Sequence, residues 1–201
     1  MPIDAPDEHT VNPDPFVQFE RWYAAAVAAT SDRAAAMVVA TATADGHPSA
    51  RVVLLRAFDA RGFVFYTNYE SRKGEELAAN ASVAAVLYWS DLDAQIRIEG
   101  LANRVAFEES EAYFAQRPRD HQIGAWASHQ SAAVADRATL EAQVHAAEAK
   151  FAGAVPLPPY WGGYRIEPTR LEFWKAGPGR VHDRVEYRRV GEAWVIRRLS
   201  P

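Results

Sequence analysis

Phe63-Val64-Phe65-Tyr66-Thr67-Asn68-Tyr69-Glu70-Ser71-Arg72-Lys73-Gly74 changes character halfway along its length. Phe63 to Tyr66 are aromatic and β-branched, a composition suited to a buried strand. Ser71 has the chemistry of a helix N-cap, and Gly74-Glu75-Glu76-Leu77-Ala78-Ala79 continues as a short helix. Arg72-Lys73 then fall in the first helical turn, where the macrodipole disfavours positive charge. A negative group nearby would resolve that conflict. A strand end, a hydroxyl, free backbone N–H groups and two cations together suit a phosphate. A solvated basic turn accounts for the same residues equally well, so the flanking sequence has to decide.

Upstream, Asp14-Pro15 opens a helix with an N-cap and a proline at the first helical position. Phe16, Phe19, Trp22, Tyr23, Ala26 and Val27 give it an apolar face, and it is expected to end near Thr30. Residues 1–13, with three prolines, are expected to be a flexible tail, leaving 14–201 as one domain. Strands are expected over Ala36–Ala42, Ser49–Phe58, Phe63–Thr67, Val83–Trp89 and Ile96–Phe107, the first pair joined by an Asp45-Gly46 turn. Helices are expected over Glu108–Gln116, His121–Ser128 and Asp136–Phe151. Strands resume at Gly162–Glu167, Arg170–Lys175, Arg184–Val190 and Ala193–Leu199. The pattern indicates an α+β domain, a β-meander closing into an antiparallel barrel with helices inserted or packed outside it.

Composition bounds the function. At 201 residues, 49% of them hydrophobic, the chain can bury a real core. A net charge of −4 argues against a general nucleic-acid binder. The absence of cysteine excludes disulfides and thiolate chemistry and fits a reducing compartment. No apolar run reaches membrane-spanning length and no signal segment is evident, so the cytoplasm is the expected location, with no membrane or nucleic-acid partner. No His pattern suggests a metal site, and no Gly-rich nucleotide loop is present.

Four further stretches carry function-capable groups. Arg51 and Arg56 end a strand with Val52, Val53, Leu54 and Leu55 between them, and a five-residue offset would turn them to opposite faces. Tyr113 and Arg117 are four apart on one helical face, either an anion site or a tyrosine packed on an arginine stem. Ser128-His129-Gln130-Ser131 is a polar loop. Arg180, His182 and Arg184 would share one face if extended, and flanking arginines would then favour a neutral imidazole. Trp174 either stacks on a planar ring or belongs to the core. Several anion sites on a barrel suit a phosphorylated cofactor and a second phosphorylated ligand.

These blocks, in order, resemble the pyridoxine/pyridoxamine 5′-phosphate oxidases, flavoproteins with the FMN-binding split-barrel fold. The matching segments are Arg51–Arg56, Tyr66-Thr67-Asn68 with Ser71-Arg72-Lys73, Arg117–Asp120 with Gln122–Trp126, Ser128–Ser131, Pro156–Gly163, Glu172–Trp174 and Arg180–Arg184. The resemblance implies a split β-barrel with peripheral helices and a homodimer with FMN at the subunit interface. It implies FMN contacts from the Arg51–Arg56 strand (Arg51, Val52, Val53, Leu54, Leu55, Arg56), Tyr66, Thr67, Arg72, Lys73, Gln95, Gln130, Ser131, Trp174 and Arg184. Arg72 and Lys73 would hold the FMN phosphate. Arg56, Tyr113, Arg117 and His121 would hold the substrate phosphate, and Arg180 and His182 would lie over the substrate ring as catalytic groups. The implied reaction moves a hydride equivalent from the 4′ carbon of a phosphorylated pyridine to flavin N5, after which O2 reoxidises the flavin and H2O2 leaves.

The sequence departs from the family pattern at Arg56, where lysine is usual, and at His121, where serine is usual. Only three of its 22 basic residues are lysine, so drift explains Arg56 as well as altered specificity does. No arginine–tyrosine pair precedes the first helix, so closure over the substrate is expected to be looser or supplied differently. Val86-Leu87-Tyr88-Trp89 also resembles a related branch that oxidises phenazine precursors. That activity, or non-catalytic FMN binding, is the alternative reading.

Overall fold

The computed structural model describes residues 3–201. Helix α1 (Pro15–Thr30) starts where Asp14 accepts a hydrogen bond from the Phe16 N–H. Strands β1 (Ala36–Ala42), β2 (Pro48–Leu54), β3 (Ala57–Asp59) and β4 (Gly62–Asn68) lead to helix α2 (Arg72–Ala79). Strands β5 (Ser82–Trp89) and β6 (Ala94–Arg104) precede helices α3 (Phe107–Ala115), α4 (Arg119–Ala127) and α5 (Arg137–Lys150). Strands β7 (Trp161–Lys175), β8 (Asp183–Val190) and β9 (Ala193–Arg198) complete the chain. No helix among the described residues is long and apolar enough to cross a membrane.

The nine strands form one antiparallel sheet in the order β2-β1-β5-β6-β7-β4-β3, with β8 and β9 continuing from β7. The order is not the simple meander that the turns suggest, because α2 carries the chain from β4 across to β5. The sheet curls into a half-open barrel, held where the Arg56 N–H donates to the Val64 carbonyl. β2 pairs with β1 alone, so half of its backbone N–H and C=O groups face away from the sheet.

The apolar face of α1 plugs the barrel. Phe19 meets the rings of Phe58 and Phe63 edge-on, each at 4.8 Å, and Trp22 meets Phe173 at 5.2 Å. Gly62 at φ 140° brings β4 against β7; a Cβ there would lie 2.0 Å from the Ile166 carbonyl oxygen. Gly74 lets α2 settle on the end of β4, since a Cβ would lie 2.1 Å from the Tyr69 carbonyl oxygen. A smaller core of Phe114, Ile123, Ala127, Ala147, Val155 and Trp161 binds α3–α5 to the Trp161 end of β7.

Several sequence expectations are corrected here. The expected strand over Ser49–Phe58 breaks at Leu55-Arg56, where the Leu55 side chain enters the core. The sixth strand stops at Arg104 and Phe107 starts a helix. The two strands expected around Pro168 are one 15-residue strand, because a bulge opposite Glu99 and Gly100 accommodates the proline. The N-terminal segment is not loose from residue 3 onward. Ile3 is buried, Tyr187 donates its hydroxyl to the Asn12 carbonyl, and Arg198 pairs with Asp7 and Glu8. Residues 1–2 of the expected tail lie outside the described residues.

Candidate active site

The Phe63–Gly74 stretch contributes Tyr66, Thr67 and Lys73 to the lining of a cavity of about 720 Å³. Its walls include Arg51–Leu54 of β2, Arg56, Tyr66 and Thr67 of β4, Lys73 of α2, and Tyr113, Arg117, His121, Gln130 and Trp161. Arg51 and Arg56 therefore serve one space rather than opposite faces, because β2 ends between them. The lining contains no carboxylate.

Ser71 caps α2, accepting from the Gly74 N–H, as its sequence suggests. Lys73 is buried, and its Nζ donates to Thr67 Oγ1 at 3.0 Å, Ser71 Oγ at 3.1 Å and Gln130 Oε1 at 2.6 Å. Burial, with the nearby charge of Arg51, lowers its pKa to about 8, and Glu76 acts against that fall. The Arg72 N–H donates to Ser131 Oγ at 3.2 Å, and Arg72 Nε donates to Glu76 Oε1 at 2.9 Å. Arg51 Nη2 lies 3.3 Å from Glu76 Oε2, and Ser49 and Thr41 hydroxyls donate to the same oxygen. Burial opposes ionisation of Glu76, but the bonds from Ser49, Thr41, Arg72 and Arg51 outweigh it and hold the carboxyl at about 2. The negative group missing from the sequence reading is thus partly internal. Three cations (Arg51, Arg72, Lys73) against one carboxylate leave a net charge of about +2.

A second group of cations, Arg56 and Arg117, lines the same cavity. Arg56 and Arg117 have no carboxylate within 4.0 Å among the described residues. The Arg117 guanidinium sits over Trp161, 4.6 Å from the ring centroid, and its buried Nη1 has no hydrogen-bond partner among the described residues. Burial and the charge of Arg56 lower its pKa, opposed by Tyr113 and Asp120. Tyr113 stacks on Tyr66 at 3.8 Å with the rings 6° apart, and Trp161 lies parallel behind Tyr66 at 5.5 Å. Burial raises Tyr66 to about 12, so its phenol stays neutral.

The remaining sequence-predicted residues gather elsewhere. Gln95, Trp174 and Arg184 are adjacent across β6, β7 and β8. The Trp174 and His182 rings are 4.8 Å apart, and the Gly177 N–H donates to His182 Nδ1 at 3.2 Å. Arg180 is not on an extended strand. It ends a short turn at φ 64°, so the period-2 alignment with His182 and Arg184 does not form. Arg184 donates to Glu172 at 2.7 Å, which neutralises one of the two charges expected to act on His182. Among the described residues no side-chain hydrogen bond or ring contact joins this cluster to the cavity. Trp174 and Trp161 are separated by about 40 Å of extended strand along β7.

Leu55 is the one expected cofactor contact whose side chain lies in the core. Glu76 and Trp161 were missed as functional candidates. Glu76 had a signal, its position four residues after Arg72; Trp161 had none apart from its place beside Gly162-Gly163.

A curled half-barrel with cationic pockets along a free edge strand places the chain among the split-barrel flavoproteins. A family model described as pyridoxamine 5′-phosphate oxidase matches residues 24–151. A second, described as the pyridoxine 5′-phosphate oxidase C-terminal dimerisation region, matches residues 161–201. The chain belongs to the pyridoxamine 5′-phosphate oxidase family, FMN-dependent oxidases with this fold. Curated relatives named pyridoxine/pyridoxamine 5′-phosphate oxidase include one from Burkholderia vietnamiensis, 51% identical over 97% of this chain and 92% of its own length. Another, from Rubrobacter xylanophilus, is 52% identical over 96% of this chain and 90% of its own. PhzG from Burkholderia lata 383, solved in complex with tetrahydrophenazine-1-carboxylic acid, matches with a TM-score of 0.93 and 35% identity over 99% of this chain and 98% of that one.

Proposed function

We propose that the chain oxidises pyridoxamine and pyridoxine 5′-phosphates to pyridoxal 5′-phosphate, with O2 reduced to H2O2. The observation that carries this reading is one cavity lined by two sets of cations, Arg51 and Lys73 with Arg72 beside them, and Arg56 with Arg117. A phosphate monoester holds about −1.5 to −2 charges at neutral pH, which matches the +2 of Arg51, Arg72, Lys73 and Glu76. The orphaned Arg117 Nη1 asks for a second anion beside Arg56 and Tyr113. The cavity volume falls in the range that encloses a cofactor or drug-sized ligand.

Arg72 and Lys73, with Thr67, Gln130 and Ser131, hold the FMN phosphate in this reading. The free edge of β2 offers backbone N–H and C=O groups to the polar rim of the flavin ring. Bound there, FMN would supply the redox chemistry, hydride acceptance and reoxidation by O2, that no side chain of the site provides. Arg56, Tyr113, Arg117 and His121 hold the substrate phosphate. His182 accepts the Gly177 N–H at Nδ1, so its neutral form keeps its proton on Nε2 and presents a donor. Arg180 adds positive charge next to it.

The second cluster completes the site from another copy of the chain. By sheet register, Val38, Val52, Leu54, Val86 and Tyr88 share one outward face with Gln95, Arg97, Trp174 and Arg184. The apolar part is open, with Val52 64% and Tyr88 58% exposed. The matched dimerisation region carries Trp174, Arg180, His182 and Arg184. Val38→Asp is expected to alter monomer stability by less than about 0.5 kcal/mol, since Val38 is 42% exposed, and yet to yield a monomer that does not retain FMN. Sedimentation equilibrium with flavin absorbance checks both parts.

The test of function is an oxidase assay of FMN-loaded protein, following H2O2 with pyridoxamine 5′-phosphate, pyridoxine 5′-phosphate, the unphosphorylated vitamers and a reduced phenazine carboxylate. Turnover confined to the two phosphates is expected. The match to PhzG, with Arg56 and His121 on the substrate side, favours the phenazine-type oxidase as the second reading. Turnover of the carboxylate alone would establish it instead.

A further inference from the structure

We propose that Glu76 is a positioning residue for the phosphate pole, presetting Arg72 for a phosphate monoester and tying Arg51 in beside it as fixed positive charge. The inference rests on the FMN reading above. Glu76 is almost wholly buried on the inner side of α2. One carboxylate oxygen takes Nε of Arg72, which fixes the guanidinium plane and leaves both Nη groups free to meet a ligand. The other oxygen takes Arg51 Nη2 and the Ser49 and Thr41 hydroxyls, so β1, β2 and α2 meet on one carboxylate. Arg51 is further held by the Val39 carbonyl and Thr41. Without Glu76, Arg72, whose side chain is largely exposed, would have no partner to order it.

A carboxylate so close to a phosphate also repels it, so the sign of the net effect needs deciding. Both oxygens of Glu76 are engaged by cations or hydroxyls, and an arriving phosphate meets ion pairs rather than a bare charge. The same carboxylate helps to keep Lys73 protonated. Removing it lowers the proton affinity of Lys73 further, which works against the gain in attraction. What remains is the loss of alignment, and it acts only on the phosphate.

The experiment titrates wild type, Glu76→Gln and Glu76→Asp with FMN and with riboflavin, which lacks the phosphate, following flavin fluorescence at pH 7. Glu76→Gln is expected to raise the FMN Kd at least tenfold and to change the riboflavin Kd less than twofold. Glu76→Asp keeps the charge but shortens the reach, and is expected to weaken FMN in the same selective way. It decides the matter if the glutamine variant does not fold. FMN binding that is unchanged or tighter, or equal weakening of both flavins, overturns the proposal. Wild-type protein that binds neither flavin overturns the FMN reading itself.

Discussion

Replacing Arg180 and His182 together by alanine is expected to leave FMN bound with near wild-type affinity and to lower turnover by roughly 10²-fold or more. The two residues stand apart from the phosphate pole and from the free edge of β2, so the double substitution removes no group that grips the phosphate. Its structural cost is small. The native partners lost are the Trp174 ring face and the Gly177 N–H, and both lie at the surface end of β7. What it removes, on the proposed function, is an Nε2–H donor and a positive charge that would polarise a ring substrate and steady charge as it develops. Flavin absorbance after gel filtration, set beside steady-state H2O2 release, separates the two effects. Loss of flavin with the double substitution would assign the pair to the cofactor; full turnover would remove them from the chemistry.

The affinity for FMN is expected to peak between about pH 6 and 8 and to fall close to tenfold per pH unit above that. Lys73 titrates at about 8 in the free chain, lowered by burial and by Arg51. Below that pH the ammonium is already present when the phosphate arrives. Above it, binding must first take up a proton, because a phosphate dianion beside Nζ stabilises the charged form. Linkage then makes log Kd rise by one for each pH unit until the pKa of the complex is reached. Below about pH 6 the phosphate loses its second charge and binding weakens from the other side. Lys73→Met is expected to abolish the alkaline limb and to weaken binding at pH 7 by about 10²-fold, in line with roughly 1.5–3 kcal/mol for a charged hydrogen bond. Fluorescence titrations from pH 5.5 to 9.5 on both proteins test this; a wild-type profile flat from pH 7 to 9.5 would contradict it.

How much of this was legible in the sequence depended on range. Ser71, Gly74 and the Asp14-Pro15 start of α1 read correctly, because caps and turns are decided by a few neighbouring residues. The cation pair on α2 was also legible, and its anomalous position pointed to an anion. Its main internal partner, Glu76, was in plain view at helical spacing, but the hydroxyls of Thr41 and Ser49 that complete the hub come from strands more than 20 residues away. Pairing between distant strands has no local signature. The same limit explains Arg51 and Arg56: alternation along one strand put them on opposite faces, and the break at Leu55 put them in one cavity. Arg180 failed for another reason. A positive φ in a non-glycine residue is set by its turn, and period-2 reasoning cannot anticipate it. The separation of Trp174, His182 and Arg184 from the cavity appears only once the course of β7 is known.

β2 bears on a different problem, the survival of the newly made chain. A strand paired on one side only is a template on which another strand can grow, the usual start of edge-to-edge aggregation. Here the exposed side chains, Val52 and Leu54 among them, are apolar and carry no charge to repel a neighbour. If the ring of FMN takes up those backbone groups and a second subunit covers the side chains, cofactor loading and assembly act together as the guard on that edge. The empty monomer is then the aggregation-prone species, and flavin supply during synthesis bears on how much protein stays in solution as well as on how much is active.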